Sequence, residues 1–375
     1  MYNQAPPVPA ETQPEASPPE ATQQEAPPAA EIPKAQQTAG LGRIFEEAGI
    51  SLLISTYEAG KLVVARSEGG ELNALYRNAN RPMGIAVGDR QVALGTLSDI
   101  AFYTDVPANL GRLQPPDKHD ACYIQRYRHI TGNIDVHEMA FDPEGRIYFI
   151  NTKFSALCTI DGSTSFQPLW RPPFITRYAP EDRCHLNGLG MRDGQPRYAT
   201  ALGETDHLNG WRERKADGGV LIDIPGNRIL SRGLSMPHSP RWYANHLWVC
   251  ESGKGELGRV DPATGEVKAV FKFPGFTRGL DFYGPLAFVG ISEVRETATF
   301  SGIPIAEEAR NCGVWIVNIV DGSHVGTFRF TQGVHEIFAV QVLANHRWPE
   351  FLERDDPVAL DTWFLPPEVI AEAAG

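Results

Sequence analysis

Four phrases in this chain put imidazoles where they could share chemistry. "DVHEMAFD" (135–142), "MPHSPRW" (236–242) and "VHEIFAVQ" (334–341) carry His137, His238 and His335 at a comparable point. In "CHLNGLGM" (184–191) Asn187 holds that point, and His185 stands two residues before it, on the same side of a strand of period 2. "RPMGIAVG" (81–88) and "TRGLDFYG" (277–284) place Met83 and Arg278 there instead. The chain has ten histidines, and the other six (His119, His129, His207, His246, His324 and His346) fall outside these phrases. Neutral imidazole is a common ligand for zinc, iron, copper and nickel, and it also titrates near neutral pH.

Three readings of this set stand open. The favoured one is a metal-dependent enzyme, by preference an oxidoreductase, holding iron, copper or zinc. His137, His185 and His238 are then ligands, and His335 is a fourth ligand or a proton carrier. Arg278 and Arg241 orient a small or peptide-borne anionic substrate. The second reading is metal-free acid–base work by one histidine, with Arg278 or Arg241 holding the anion. In the third, the imidazoles satisfy carbonyls and waters of a polar channel, and the protein is a non-catalytic propeller that presents its loop-rich face to a protein or glycan. Ligands on separate elements leave no short HxxxH-type spacing, so the pattern does not choose among the three.

The elements that must position these residues are short strands. From about residue 50 the chain is a run of β-patterned segments with tight polar turns, such as "ARSEGGELNALY", "VDPATGEVKAVFKF" and "VDGSHVGTFRF". The six phrases return at intervals of about 40 to 57 residues, the period of a β-propeller with four strands per blade. Each phrase reads as an innermost strand, with small residues (Gly84, Ala140, Gly188, Gly279) at the crowded axis. The last inner strand, 335–342, lacks a following hairpin, whereas 51–77 supplies three strands without an inner one. Joining the two ends completes a blade, giving an all-β, six-bladed propeller closed by its N- and C-terminal strands. The prolines of "PHSPRW" then stiffen the start of one inner strand and aim His238 at the axis.

The other chemistry-bearing residues receive plainer readings. Strand alternation turns Glu138 and Glu336 away from the axis, toward structural pairing with an arginine. Arg212, Arg214 and Arg295, on the long loops 203–219 and 292–313, favour an acidic ligand if they face the funnel. Cys184 reads as a buried, inert thiol. The oxygen-rich ring of a calcium-dependent propeller hydrolase is missing, and so are a nucleophile elbow, a P-loop and a dinucleotide fingerprint.

Composition sets outer bounds. A net charge of −12 argues against nucleic acid and anionic membrane surfaces as partners. Five scattered cysteines and the lack of a signal-peptide pattern predict reduced thiols in the cytoplasm. Residues 1–40, rich in Pro, Ala, Glu and Gln, predict a disordered tail; 41–345 the propeller; 346–375 an extension with a short helix.

Taken in order, "HEMAFD", "CHLNGLG", "MPHSPRW", "GFTRGL" and "TFSGIPIAEE" resemble a bacterial family of conserved hypothetical proteins, a propeller-like domain of unknown function. The resemblance spans about residues 43–355 and marks His137, His185 and His238; it implies no reaction. A geometric likeness extends to carotenoid-cleaving dioxygenases, which have seven blades, different motifs and axial histidines that hold iron.

Overall fold

The computed structural model describes residues 33–294, 302–306, 310–366 and 368–369. Six sheets follow one another, each with four antiparallel strands that are numbered here as a blade and read from the inner strand outward. Blade 1 joins Ala339–Ala344 to Ile50–Thr56, Lys61–Glu68 and Glu71–Asn78. Blade 2 runs Ile85–Gly88, Gln91–Gly95, Asp99–Asp105 and Ala121–Ile130. Blade 3 is Val136–Phe141, Ile147–Asn151, Ala156–Thr159 and Gln167–Trp170. Leu186–Arg192, Gln195–Ala201, Gly219–Asp223 and Arg228–Leu234 make blade 4. Blade 5 is Pro237–Tyr243, His246–Glu251, Glu256–Val260 and Val267–Lys272, and blade 6 is Phe276–Tyr283, Leu286–Ser292, Cys312–Asn318 and His324–Gln332. Each inner strand touches the inner strands of both neighbouring blades, so the ring is closed.

The protein is therefore an all-β, six-bladed propeller whose first blade is completed by the C-terminal inner strand. Ser55, Ile54 and Leu53 pair with Ala339, Val340 and Gln341. This closure buries what would otherwise be two free sheet edges.

Both ends of the ring differ from the sequence-based boundaries. Lys34–Gln37, assigned by composition to the tail, adds an outer fifth strand to blade 6. Pro349–Leu352 does the same for blade 2, in parallel with Ala121–Ile124. Hydrogen bonding of an exposed strand edge overrides weak local hydrophobicity in both places. The short helix of the extension is Pro357–Leu360, and the rest of the tail, 1–32, lies outside the described residues. The five cysteines are buried and unpaired. Among the described residues no helix is long and apolar enough to cross a membrane.

Crowding at the axis decides the small residues. A Cβ on Gly84 would come within 1.8 Å of the His137 carbonyl oxygen, and one on Gly188 within 2.1 Å of the Thr200 hydroxyl and 2.4 Å of Pro240 Cδ. The Pro240 ring thus fills the space that Gly188 vacates. Two prolines fit in one inner strand because Pro237 is its first residue and Pro240 lies where the ladder is bulged between His238 and Arg241, with Ser239 at φ 51°.

Candidate functional site: a funnel at the mouth of the axis

Inner strands begin alike in three successive blades. The residue just outside each strand is left-handed: Asp135 at φ 57°, His185 at 48° and Met236 at 45°. Non-glycine residues seldom hold this conformation, and it lifts the side chain over the axis mouth. Two residues on, at the strand's second position, stand His137, Asn187 and His238. Asp135, His185 and Met236 line one funnel together with His137 and His238. The funnel has a volume of about 290 Å³, and Arg278, Glu336, Tyr57, Phe338, Phe276, Leu202, Trp211 and Arg212 complete its wall. Asn187 turns aside, donating to the Pro237 carbonyl and accepting from Thr200, as a structural tie between blades 4 and 5.

Each imidazole is held through the same nitrogen. His137 Nδ1 lies 3.1 Å from the Asp135 carbonyl oxygen and 2.7 Å from Thr152 Oγ1. Thr152 spends its own proton on the Leu186 carbonyl, so His137 must be the donor. His238 Nδ1 lies 2.9 Å from the Met236 carbonyl oxygen and 2.9 Å from Ser252 Oγ. Thr152 and Ser252 each follow the second strand of their blade, so blades 3 and 5 repeat one device. His185 Nδ1 lies 3.0 Å from a carboxylate oxygen of Asp182 that also accepts from Trp211 Nε1 at 2.9 Å. Carbonyls and carboxylates only accept, so Nδ1 carries a proton on all three rings, and in the neutral form of each ring Nε2 carries the lone pair.

Electrostatics keep two of these rings neutral. Burial, then the electrostatic influence of His185 and of Arg278, holds the His137 pKa well below the ordinary imidazole value. Burial followed by Arg278 does the same for His238. Asp135 is shifted the other way: burial raises its carboxyl pKa, against the lowering influence of His185. The Arg278 guanidinium lies 3.5 Å from the Phe338 ring centre, and its Nη1 donates to Glu336 at 3.2 Å. Among the described residues its Nε and Nη2 have no protein partner. Burial lowers the Arg278 pKa from its usual value.

Behind the wall, Leu202, Trp211, Met236, Phe276, Val294, Ile303 and Ile305 form an apolar cluster that fixes the mouth loops. His137 and His185 meet edge to face, 4.9 Å between ring centres, and Phe338 packs at 4.9 Å from His137.

Several sequence-assigned residues lie elsewhere. His335 is a correction: its Nδ1 pairs with Glu293 at 2.9 Å, the side chain is 41% exposed, and it is absent from the funnel wall. The reason is register, because the inner strand begins at Ala339, four residues after His335, whereas His137 is the second residue of its strand. Phe338 occupies the funnel there instead. Arg241 is a second correction. It makes a two-pronged pair with Glu138, 3.0 Å on each side, and both also bond the Leu189 backbone. That pair ties blades 3, 4 and 5 below the funnel. Glu138 thus has the structural partner the alternation predicted; Glu336 has one too, but remains on the wall. Of the loop arginines, Arg212 lines the rim above the Trp211 ring, Arg214 pairs with Asp217 outside it, and Arg295 lies outside the described residues. Burial pushes the Cys184 thiol up to about 12, so it stays protonated and inert. Among the described residues no three His, Cys, Asp or Glu side chains stand together as a metal-holding group.

Sequence reasoning passed over Asp135, Met236, Trp211, Phe276, Phe338 and Tyr57. The first two had a signal, since aligning "DVH", "HLN" and "MPH" shows that His185, Asp135 and Met236 share a position. The aromatic wall had none, because its members come from unrelated points: Tyr57 and Phe338 beside strands of blade 1, Phe276 in blade 6, and Trp211 on a loop of blade 4.

One solved structure agrees with the architecture. A chain of the nidogen–laminin complex superimposes with a TM-score of 0.51 at 13% identity, over 79% of this chain and 99% of that one. A Bacteroides caccae protein of unknown function gives 0.46 at 8% identity, over 78% and 98%. At such identities the likeness concerns the fold alone. No curated protein matches the chain. Residues 39–352 match the family described as "Domain of unknown function (DUF4915)", and the chain belongs to that family.

Proposed function

We propose that the funnel binds a small organic anion and that His185 takes a proton from it. The observation that carries the reading is Arg278: a largely buried cation, 12% exposed, whose Nε and Nη2 meet no acceptor among the described residues, on the wall of a cavity. Its charge is paired with Glu336, and the remaining guanidinium donors are free to make a two-pronged contact with a carboxylate that enters the funnel. His185 has the orientation of a general base, with its Nδ1–H held by Asp182 and its Nε2 lone pair left over. The aromatic wall of Tyr57, Phe338, Phe276 and Trp211 receives the apolar part of the ligand.

Phenylpyruvate, an enolisable aromatic acid, is a direct probe. The full-length protein is expected to bind it and to accelerate exchange of its methylene protons in D2O. Arg278→Gln should weaken binding by about tenfold or more, the scale of a hydrogen bond to a charged group. His185→Gln should abolish exchange while binding persists. Binding without exchange in the wild type would move the protein to the non-catalytic class, and absence of binding would remove the reading.

One observation favours a metal-bound form as the second reading. All three imidazoles are anchored through Nδ1, the arrangement in which Nε2 serves as a ligand. His137, His185 and His238 would have to draw closer than they stand in this structure to hold the ion, which would supply Lewis-acid or, with iron or copper, redox chemistry. Elemental analysis tests this: near-stoichiometric metal that disappears in His137→Ala and His238→Ala supports it, and metal-free active protein rejects it.

A further inference from the structure

We infer that the funnel is built for a zwitterion, a small amino acid-like compound whose carboxylate meets Arg278 and whose ammonium meets Asp135. This rests on the organic-anion reading and narrows it. The wall carries unspent groups of both signs. On the cationic side, Arg278 commits only Nη1 to Glu336. On the anionic side, the two carboxyl oxygens of Asp135 accept no hydrogen bond among the described residues; the nearest imidazole nitrogen, His137 Nδ1, is 4.0 Å away with its proton directed at Thr152 and the Asp135 carbonyl. Arg278 and Asp135 are close enough to perturb one another electrostatically.

The neighbouring neutral groups suit an ammonium better than a second anion. Nε2 of His137, His185 and His238 is a lone-pair acceptor, and an –NH3+ group has three donors to distribute. A simple carboxylate would leave Asp135 facing the ligand with nothing to receive, so Asp135 would repel it. Met236, Leu202 and Phe276 leave an apolar side of the funnel for the ligand's side chain. Asp135 holds this place at φ 57°, where asparagine is as acceptable as aspartate, so Asp135→Asn removes the charge without disturbing the backbone.

The experiment is calorimetric titration of full-length protein with L-phenylalanine, 3-phenylpropionate and 2-phenylethylamine, in the wild type and in Asp135→Asn. L-phenylalanine is expected to bind about tenfold or more tightly than 3-phenylpropionate, and Asp135→Asn should erase that preference, weakening L-phenylalanine and tightening 3-phenylpropionate. Equal or tighter binding of 3-phenylpropionate to the wild type, or a preference that survives Asp135→Asn, overturns the zwitterion and leaves the organic-anion reading in place. Binding of 2-phenylethylamine alone, or of none of the three, overturns both.

Discussion

His137 and His238 are buried imidazoles whose protonation the fold resists, and this has a measurable consequence. Their folded-state pKa lies well below the value of about 6.5 that applies to the unfolded chain. Above that value both states are neutral and the pair contributes nothing to pH dependence. Below it, the unfolded chain takes up protons that the folded one refuses, so stability falls as pH drops. Two such sites give a slope approaching about 2.7 kcal/mol per pH unit below pH 6. Urea denaturation at pH 7 and pH 5.5 should show the loss, and His137→Gln should remove about half of it. An unchanged slope in that variant would mean that the ring titrates freely. The repeated histidines were legible in the sequence because three phrases share one strand register. His335 was misleading for the same reason: its letters match, but its strand starts later. Geometry that depends on φ, such as the left-handed setting of Asp135, left only the faint trace of a shared offset.

At the scale of elements, the blades are joined by charges as well as by packing. The Glu138–Arg241 pair, at 12% and 17% exposure, sits between three inner strands. Removing one partner leaves a buried charge uncompensated, so Glu138→Gln should cost about 3 kcal/mol or more in denaturant unfolding. Ligand binding in the funnel should survive in the folded fraction, because neither residue lines it. Lost binding at full stability would return Arg241 to the site. The outer strand Pro349–Leu352 has its own clamp. Glu350 accepts from Arg66 at 2.9 Å and from Arg77, and His119 Nε2 lies 3.2 Å from its carboxylate. The Trp348 ring has Arg66 4.3 Å and Lys118 3.9 Å from its centre. Glu350→Ala strands two arginines and is expected to destabilise by about 3 kcal/mol or more, measured in the same way. Loss below about 1 kcal/mol would show the strand to be an ornament. These clamps were invisible in the sequence: Arg66 and Glu350 are 284 residues apart, and no periodicity links them.

For the whole molecule, ring closure is the organising fact. Six phrases at one period, and a count of strands that closed only by joining the ends, made the blade number readable without coordinates. The outer fifth strands were not, since edge strands need little hydrophobic pattern of their own. Inner-strand crowding should make the ring intolerant of added volume. Gly84→Ala, whose Cβ would strike the His137 carbonyl, is expected to lose several kcal/mol and to disturb the His137 ring along with it. A near-neutral outcome would mean that the blades can slide apart at the axis.

Three imidazoles from neighbouring blades line one funnel, each anchored through Nδ1 so that Nε2 is the nitrogen left to face a ligand. Long-range 1H–15N NMR of the histidine rings, recorded at pH 7.5 with and without phenylpyruvate, measures this arrangement most directly. The account predicts the Nδ1–H tautomer for His137, His185 and His238, and a concerted change at their Nε2 signals when the ligand is added, with His335 unaffected. Nε2–H tautomers on these rings, or a response at His335 in place of theirs, would contradict it.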